Sequence, residues 1–224
     1  MYMIPGLLFV VASIIDIVAT SIGNQELHVI AKPCLMPLLL LSALLYFREN
    51  VTVKVRPIPL LLTFALLFHT GGDVFLLGSG STFFLLGLAS FLIGHFFYIA
   101  IVCKGLKNLT LPEALIGCGL PLILGAFIAA IFKLDWPMNA AVTVYAITLV
   151  TYPCLGIVGL MQKKREYRYF IWGGLLFIIS DSILAINEFM GIDFPLRGGL
   201  VMLTYILAEV LLVMGVVRVV PKQK

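Results

Sequence analysis

The sequence predicts an all-α membrane protein, a bundle of about eight transmembrane helices with both termini in the cytoplasm. Three observations carry that prediction: the apolar content of the chain, the length of its apolar runs, and the placement of its basic residues. Of 224 residues, 62% are hydrophobic and 12% charged, against about 45–50% and about 25% in soluble domains. One soluble core of this length cannot hide so much apolar surface, whereas a bilayer solvates it.

A helix needs about 20 apolar residues to cross the hydrocarbon layer. Such runs lie near residues 3–22, 30–47, 58–77, 82–103, 112–132, 137–160, 169–189 and 196–219. Pro5, Pro33, Pro57, Pro112, Pro137 and Pro195 each flank the start of a run, where a missing N–H costs least. Pro153 lies inside the sixth and predicts a kink there. Nothing in the composition divides the chain, so residues 1–224 read as a single transmembrane domain. The opening Met1-Tyr2-Met3-Ile4-Pro5 lacks a basic stretch and reads as the start of a span rather than a cleaved signal.

The basic residues orient the bundle. Arg48, Lys54 and Arg56 fall in the second loop, Lys104 and Lys107 in the fourth, and Lys163, Lys164, Arg165 and Arg168 in the sixth. Arg218, Lys222 and Lys224 follow the last span, and of the 15 Lys and Arg only Lys32, Lys133 and Arg197 fall on the other side. The positive-inside rule places the richer side in the cytoplasm. The net charge of +4 therefore reads as an orientation signal with some attraction for anionic lipid. It does not read as a nucleic-acid patch, because the charges are spread over separate loops. Cys34, Cys103, Cys118 and Cys154 show no CxxC spacing and read as packing residues. Gly119, Gly125, Gly156 and Gly159 allow close helix approach, inside one chain or between chains, and the oligomeric state stays open. The compact chain leans toward a bacterial inner (cell) membrane.

Ionisable groups inside spans cost free energy and ask for a reason. Asp16 lies in the first span, Lys32 at the mouth of the second, and His69 and Asp73 in the third. His95 and Tyr98 lie in the fourth, Asp181 with Asn187 and Glu188 in the seventh, and Tyr205 and Glu209 in the eighth. His69 and Asp73 are four apart, as are Tyr205 and Glu209, so each pair shares a helix face. Depth along the spans suggests one cavity opening to the non-cytoplasmic side with His95 and Glu209 at its floor. Asp16 reads either as a hydrogen-bonding partner, of Lys32 for example, or as a functional group. Lys32 itself can snorkel to the interface, and Glu188 reads as solvated.

Several local patterns then coincide in order: Lys32-Pro33, Gly72-Asp73, His95-Phe96-Phe97-Tyr98, Ser180-Asp181-Ser182-Ile183-Leu184-Ala185, and Thr204-Tyr205 followed by Ala208-Glu209. Together they resemble the YhhN family of eight-span membrane proteins, which includes the lysoplasmalogenases. Two positions depart from the family pattern. Glu209 stands where the family often has Gln, and Asn187 with Glu188 stands where an acidic residue often follows Leu-Ala by one position.

The resemblance implies hydrolysis of the vinyl ether bond of a lysoplasmalogen to a long-chain aldehyde and a glycerophospho-alcohol. A vinyl ether resists nucleophiles until its β-carbon is protonated; the resulting oxocarbenium ion is captured by water. Such a site needs an acid and a nearby anion, as in glycosidases. Asp73 and Asp181 are the candidate pair, one as general acid and the other as electrostatic base. His95 and Tyr205 would position water or the departing oxygen, and Lys32 would hold the phosphate. Tyr98, Ser180 and Glu209 complete the substrate-binding set. The implied partners are a lysophospholipid substrate and membrane lipids, with no nucleic acid and no cofactor.

Other chemistries fit less well. No Gly-x-Ser-x-Gly elbow is present, which weakens a serine hydrolase. A metal hydrolase would need His69, Asp73, His95 and Asp181 to converge, without any HxxxH or HExxH spacing. A proton-coupled transporter of lipid or small solutes would suit midplane carboxylates, yet the chain shows no internal repeat of spans.

Overall fold

The computed structural model describes residues 1–51, 57–132 and 135–220. Lys54, Arg56, Lys133, Lys222 and Lys224, counted above in the charge asymmetry, lie outside them. The described residues form helices α1 (Met3–Ser21), α2 (Gln25–Asn50), α3 (Pro57–Phe75) and α4 (Ser81–Lys104). Helix α5 follows as Leu111–Ala114 and Leu120–Phe132 joined by a π turn at Leu115–Gly119. Helices α6 (Met138–Met161), α7 (Arg168–Met190) and α8 (Arg197–Val219) complete the chain. No strand ladder forms among the described residues.

Seven of these helices are long and apolar enough to cross a membrane, so the chain is a multi-pass membrane protein. The eighth, α5, runs antiparallel to α6: Gly117 lies against Leu155 and Val158, and Gly125 against Ile147. At Gly125 a Cβ would stand 2.5 Å from the Ile147 backbone, so only glycine allows these two backbones to approach so closely.

Helix α2 begins earlier than its apolar run. Asn24 accepts a hydrogen bond from the Leu27 amide at 3.1 Å, a side-chain cap that starts the helix at Gln25. Pro33 is therefore inside α2, with Pro37, rather than at its start. With 26 residues the helix is about 39 Å long, longer than the hydrocarbon layer, so its polar first turns stand in the interface.

The helices α1, α2, α3, α4, α6, α7 and α8 close into a ring, each packed on the next and α8 on α1. Helix α5 lies outside this ring against α6. That explains its sequence: beyond Glu113 it carries no charged residue before the end of the helix, and Leu115, Leu122, Ile123 and Phe127 are exposed to the lipid. Of the small residues singled out above, Gly125, Gly156 and Gly159 meet Ile147, Ile171 and Tyr167 of the same chain, whereas Gly119 touches only Leu115 of its own helix.

One face of the ring collects the basic loops. The N-terminal amine pairs with Glu49 at 3.0 Å, Tyr167 donates to the Val102 carbonyl at 2.7 Å, and Arg218 stacks on Tyr169 at 4.8 Å. The N-terminus, the ends of α2 and α4, the start of α7 and the end of α8 thus share that face, which the positive-inside rule assigns to the cytoplasm.

Candidate active site

Two rungs tie α3 to α8 across the ring. Tyr205 donates its hydroxyl to Asp73 Oδ2 at 2.9 Å. One turn along both helices, His69 Nδ1 meets Glu209 Oε1, and Tyr98 of α4 donates to Glu209 Oε2 at 2.9 Å. All five side chains are buried. His69 fits because residue 94 is glycine: a Cβ there would stand 2.1 Å from His69 Cδ2.

A second network joins α4, α6 and α7. Tyr145 donates to Asp181 Oδ2 at 2.5 Å, and its oxygen lies 3.2 Å from His95 Nε2. On the other side of the ring the Tyr152 hydroxyl lies 2.7 Å from His95 Nδ1 and 3.2 Å from the His95 carbonyl, to which it donates. The two networks meet where the His69 and His95 rings pack edge to face, centroids 4.7 Å apart. Phe91 and Phe177 pack against both histidines and against Tyr205.

Two cavities of opposite character lie above this polar layer. A vestibule of about 770 Å³ opens on the face away from the basic loops and is lined by polar groups that include His28, Lys32, Glu188, Asp193 and Arg197. A narrow cleft of about 80 Å³ runs between α4, α6 and α7, lined by Leu88, Val142, Ala146, Leu149, Ile178 and other apolar side chains. Tyr145, Asp181 and Ser182 are the polar groups in its wall. Leu76, Phe84 and Leu184 line both cavities, so they adjoin. Asp73 lies in the last turn of α3, three residues before Leu76.

The sequence-predicted residues separate into three levels. Lys32 lines the vestibule and reaches Asp73 Oδ1 at 3.8 Å; it does not snorkel to the interface, being only 8% exposed. Asp181 lines the cleft. Asp73, Tyr205, His95, Tyr98 and Glu209 are buried and line neither of these two cavities, so the expected single cavity with His95 and Glu209 at its floor is not what these residues form. Ser180 is turned away: its hydroxyl donates to the Val201 carbonyl at 3.0 Å and ties α7 to α8, while Ser182 faces the cleft. Asp73 and Asp181 are bonded to different tyrosines, and no hydrogen bond joins them among the described residues. Asp16 pairs with His28 at 2.7 Å, not with Lys32. Glu188 is exposed, at the edge of the vestibule. No group of three metal-ligating side chains gathers among the described residues, so the histidine–carboxylate set weighed for a metal is not assembled.

Three participants escaped the sequence reading. Tyr145 and Tyr152 are seven apart on one face of α6, and that spacing was the available signal. His28 precedes the apolar run; an Asn24 cap would have placed it four residues before Lys32 on one helix face.

The chain matches the YhhN family over residues 27–216. It is similar to lysoplasmalogenase TMEM86A of Homo sapiens, 28% identical over 158 residues, which cover 68% of this chain and 63% of the human protein. The match thus spans less than two thirds of that relative's length. No solved structure matches the chain at a significant level. A family match over most of the ring, from the first turn of α2 to the last turns of α8, identifies this chain as a member of the YhhN family.

Proposed function

We propose that the protein is a lysoplasmalogenase-like hydrolase that cleaves the vinyl ether of a lysoplasmalogen, with the bacterial inner membrane as its setting. The observation that carries this reading is the junction of the polar vestibule with the apolar cleft at Leu76, Phe84 and Leu184. A lipid with one chain and a charged headgroup has the same division, and its ether bond lies where the two parts meet. The human relative's name supports the same chemistry.

The two carboxyl groups stand in unlike surroundings, and their roles follow from that. Asp181 faces the cleft with a tyrosine hydroxyl as its hydrogen-bonding partner. It is the group suited to be neutral and to give its proton to the β-carbon. Asp73 also accepts a tyrosine hydroxyl; what sets it apart is the ammonium beside it, which suits an anion placed to stabilise the oxocarbenium ion. Water adds to the cationic carbon, its proton passes to Asp181, and the hemiacetal collapses to aldehyde and alcohol.

Aldehyde release from lysoplasmenylethanolamine by detergent-purified protein tests the reading, with Asp73→Asn and Asp181→Asn alongside. Loss of about a hundredfold or more in each stable variant is expected of an acid and its partner. Full activity in both variants sinks the carboxylate mechanism. No aldehyde from the wild type sinks the hydrolase, and uptake of intact lipid or solute into proteoliposomes would then favour transport.

A further inference from the structure

Lys32 is held between the vestibule and the buried layer, and neither side satisfies it. Its ammonium carries three donors, yet it makes no hydrogen bond to any described residue, and its ion pair with Asp73 is 3.8 Å long. A charge-assisted N–H···O bond is about 2.7–2.9 Å long, so this contact is electrostatic only. The facing oxygen, Asp73 Oδ1, is buried and has no hydrogen-bond partner. The other basic side chains of the vestibule are better matched: His28 to Asp16 and Arg197 to Asp193, each at 2.7 Å. Arg197 and Asp193 also sit at the exposed rim, whereas the Lys32 side chain is nine-tenths buried.

We propose that Lys32 binds the phosphate of the substrate by leaving Asp73, so that headgroup binding unpairs the anion that stabilises the transition state. This deepens, and rests on, the ether-hydrolase reading. In the resting protein Lys32 and Asp73 neutralise one another. When a phosphate takes the ammonium, Asp73 is left as a buried carboxylate without a countercharge, an expensive state. Protonation of the alkenyl β-carbon by Asp181 then creates a positive charge on the substrate itself, and that cation takes the place Lys32 vacated. Binding energy from the headgroup is thereby used at the reacting carbon, and a substrate lacking the phosphate must lose kcat as well as affinity. An alkenylglycerol leaves Lys32 on Asp73 and meets an anion already neutralised.

The test uses the full chain in detergent and two measurements. The first is binding, read as thermal stabilisation by acyl lysophosphatidylethanolamine and by monoacylglycerol, neither of which contains a vinyl ether. The wild type should be stabilised more by the phospholipid, and Lys32→Met should respond alike to both. If Lys32→Met keeps the wild-type difference, Lys32 is not the phosphate receptor, whatever the protein hydrolyses. The second is aldehyde release from lysoplasmenylethanolamine and from 1-alkenylglycerol. The wild-type kcat should be at least about tenfold higher for the phosphorylated substrate, a coupling of ordinary size. In Lys32→Met the two kcat values should converge, and Lys32→Arg should restore part of the difference. A phosphate effect confined to KM, or a kcat preference that survives Lys32→Met, overturns the coupling. Absence of aldehyde from every substrate overturns the hydrolase reading and the coupling together, while the binding arm still decides the receptor.

Discussion

Tyr205 and Glu209, one turn apart on α8, each hold a partner one turn apart on α3: Tyr205 bonds Asp73 and Glu209 bonds His69. The spacing of four in both helices makes this ladder, because residues three or four apart lie above one another on successive turns of a helix. The upper rung belongs to the proposed site and the lower one to its support. Disturbing the lower rung should therefore move the upper.

Glu209 is the first place to see this. Glu209→Gln retains an oxygen for His69 and a polar group for Tyr98, and should cost about 1 kcal/mol or less. Glu209→Leu leaves both partners buried without it and should cost about 3 kcal/mol. Thermal unfolding in detergent checks the order. A leucine variant as stable as the glutamine variant would mean that the buried triad contributes little.

Gly94→Ala should act through the same rung without touching it chemically. The added methyl would stand 2.1 Å from His69 Cδ2 and 2.9 Å from the Ala65 carbonyl, so the imidazole or the whole of α4 must shift. A loss of about 1–3 kcal/mol is expected for such overpacking, with a fall in aldehyde release. Unchanged stability would show that α3 and α4 can part without penalty.

The cleft predicts a chain-length effect. Ala146 is buried in its wall, and Ala146→Phe should fill the space below Asp181. The variant should lose at least about tenfold in kcat/KM for long-chain substrate, the scale of a few methylenes in an apolar pocket. A short alkenyl analogue should lose far less. Equal losses for both would mean that the chain lies elsewhere.

At the rim, Asp193 accepts from Arg197 Nε at 2.7 Å and from the Phe194 amide at 2.9 Å. These bonds hold its carboxyl below its ordinary value of 3.8. A depressed carboxyl contributes stability above that value and loses it as pH falls through the lower, folded value. The Phe194 amide should thus stay protected from hydrogen exchange at neutral pH and lose protection only below pH 3.8. Asp193→Asn should weaken that protection at neutral pH already. Protection unaffected by the substitution would show that other contacts hold the loop.

The class of this protein, the order of its spans and the faces of its polar residues were legible in the chain, because they depend on local quantities. Apolar run length, basic residues in loops and spacings of three and four need no knowledge of neighbours. His69 with Asp73 and Tyr205 with Glu209 were readable as faces for that reason. Their partners were not, since a helix face does not say which helix it meets. The ring order, with α8 beside α1 and α5 excluded from the ring, decided that Asp73 meets Tyr205 and that Asp181 meets Tyr145 across α6 and α7. The same packing turned Ser180 onto the Val201 carbonyl and left Ser182 in the cleft. It also set Lys32 beside Asp73 and His28 beside Asp16, a choice between two basic side chains four residues apart that helix rotation settles. Burial in the bilayer is a property of composition; pairing within the bundle comes from close packing of whole helices, which acts between residues far apart in the chain.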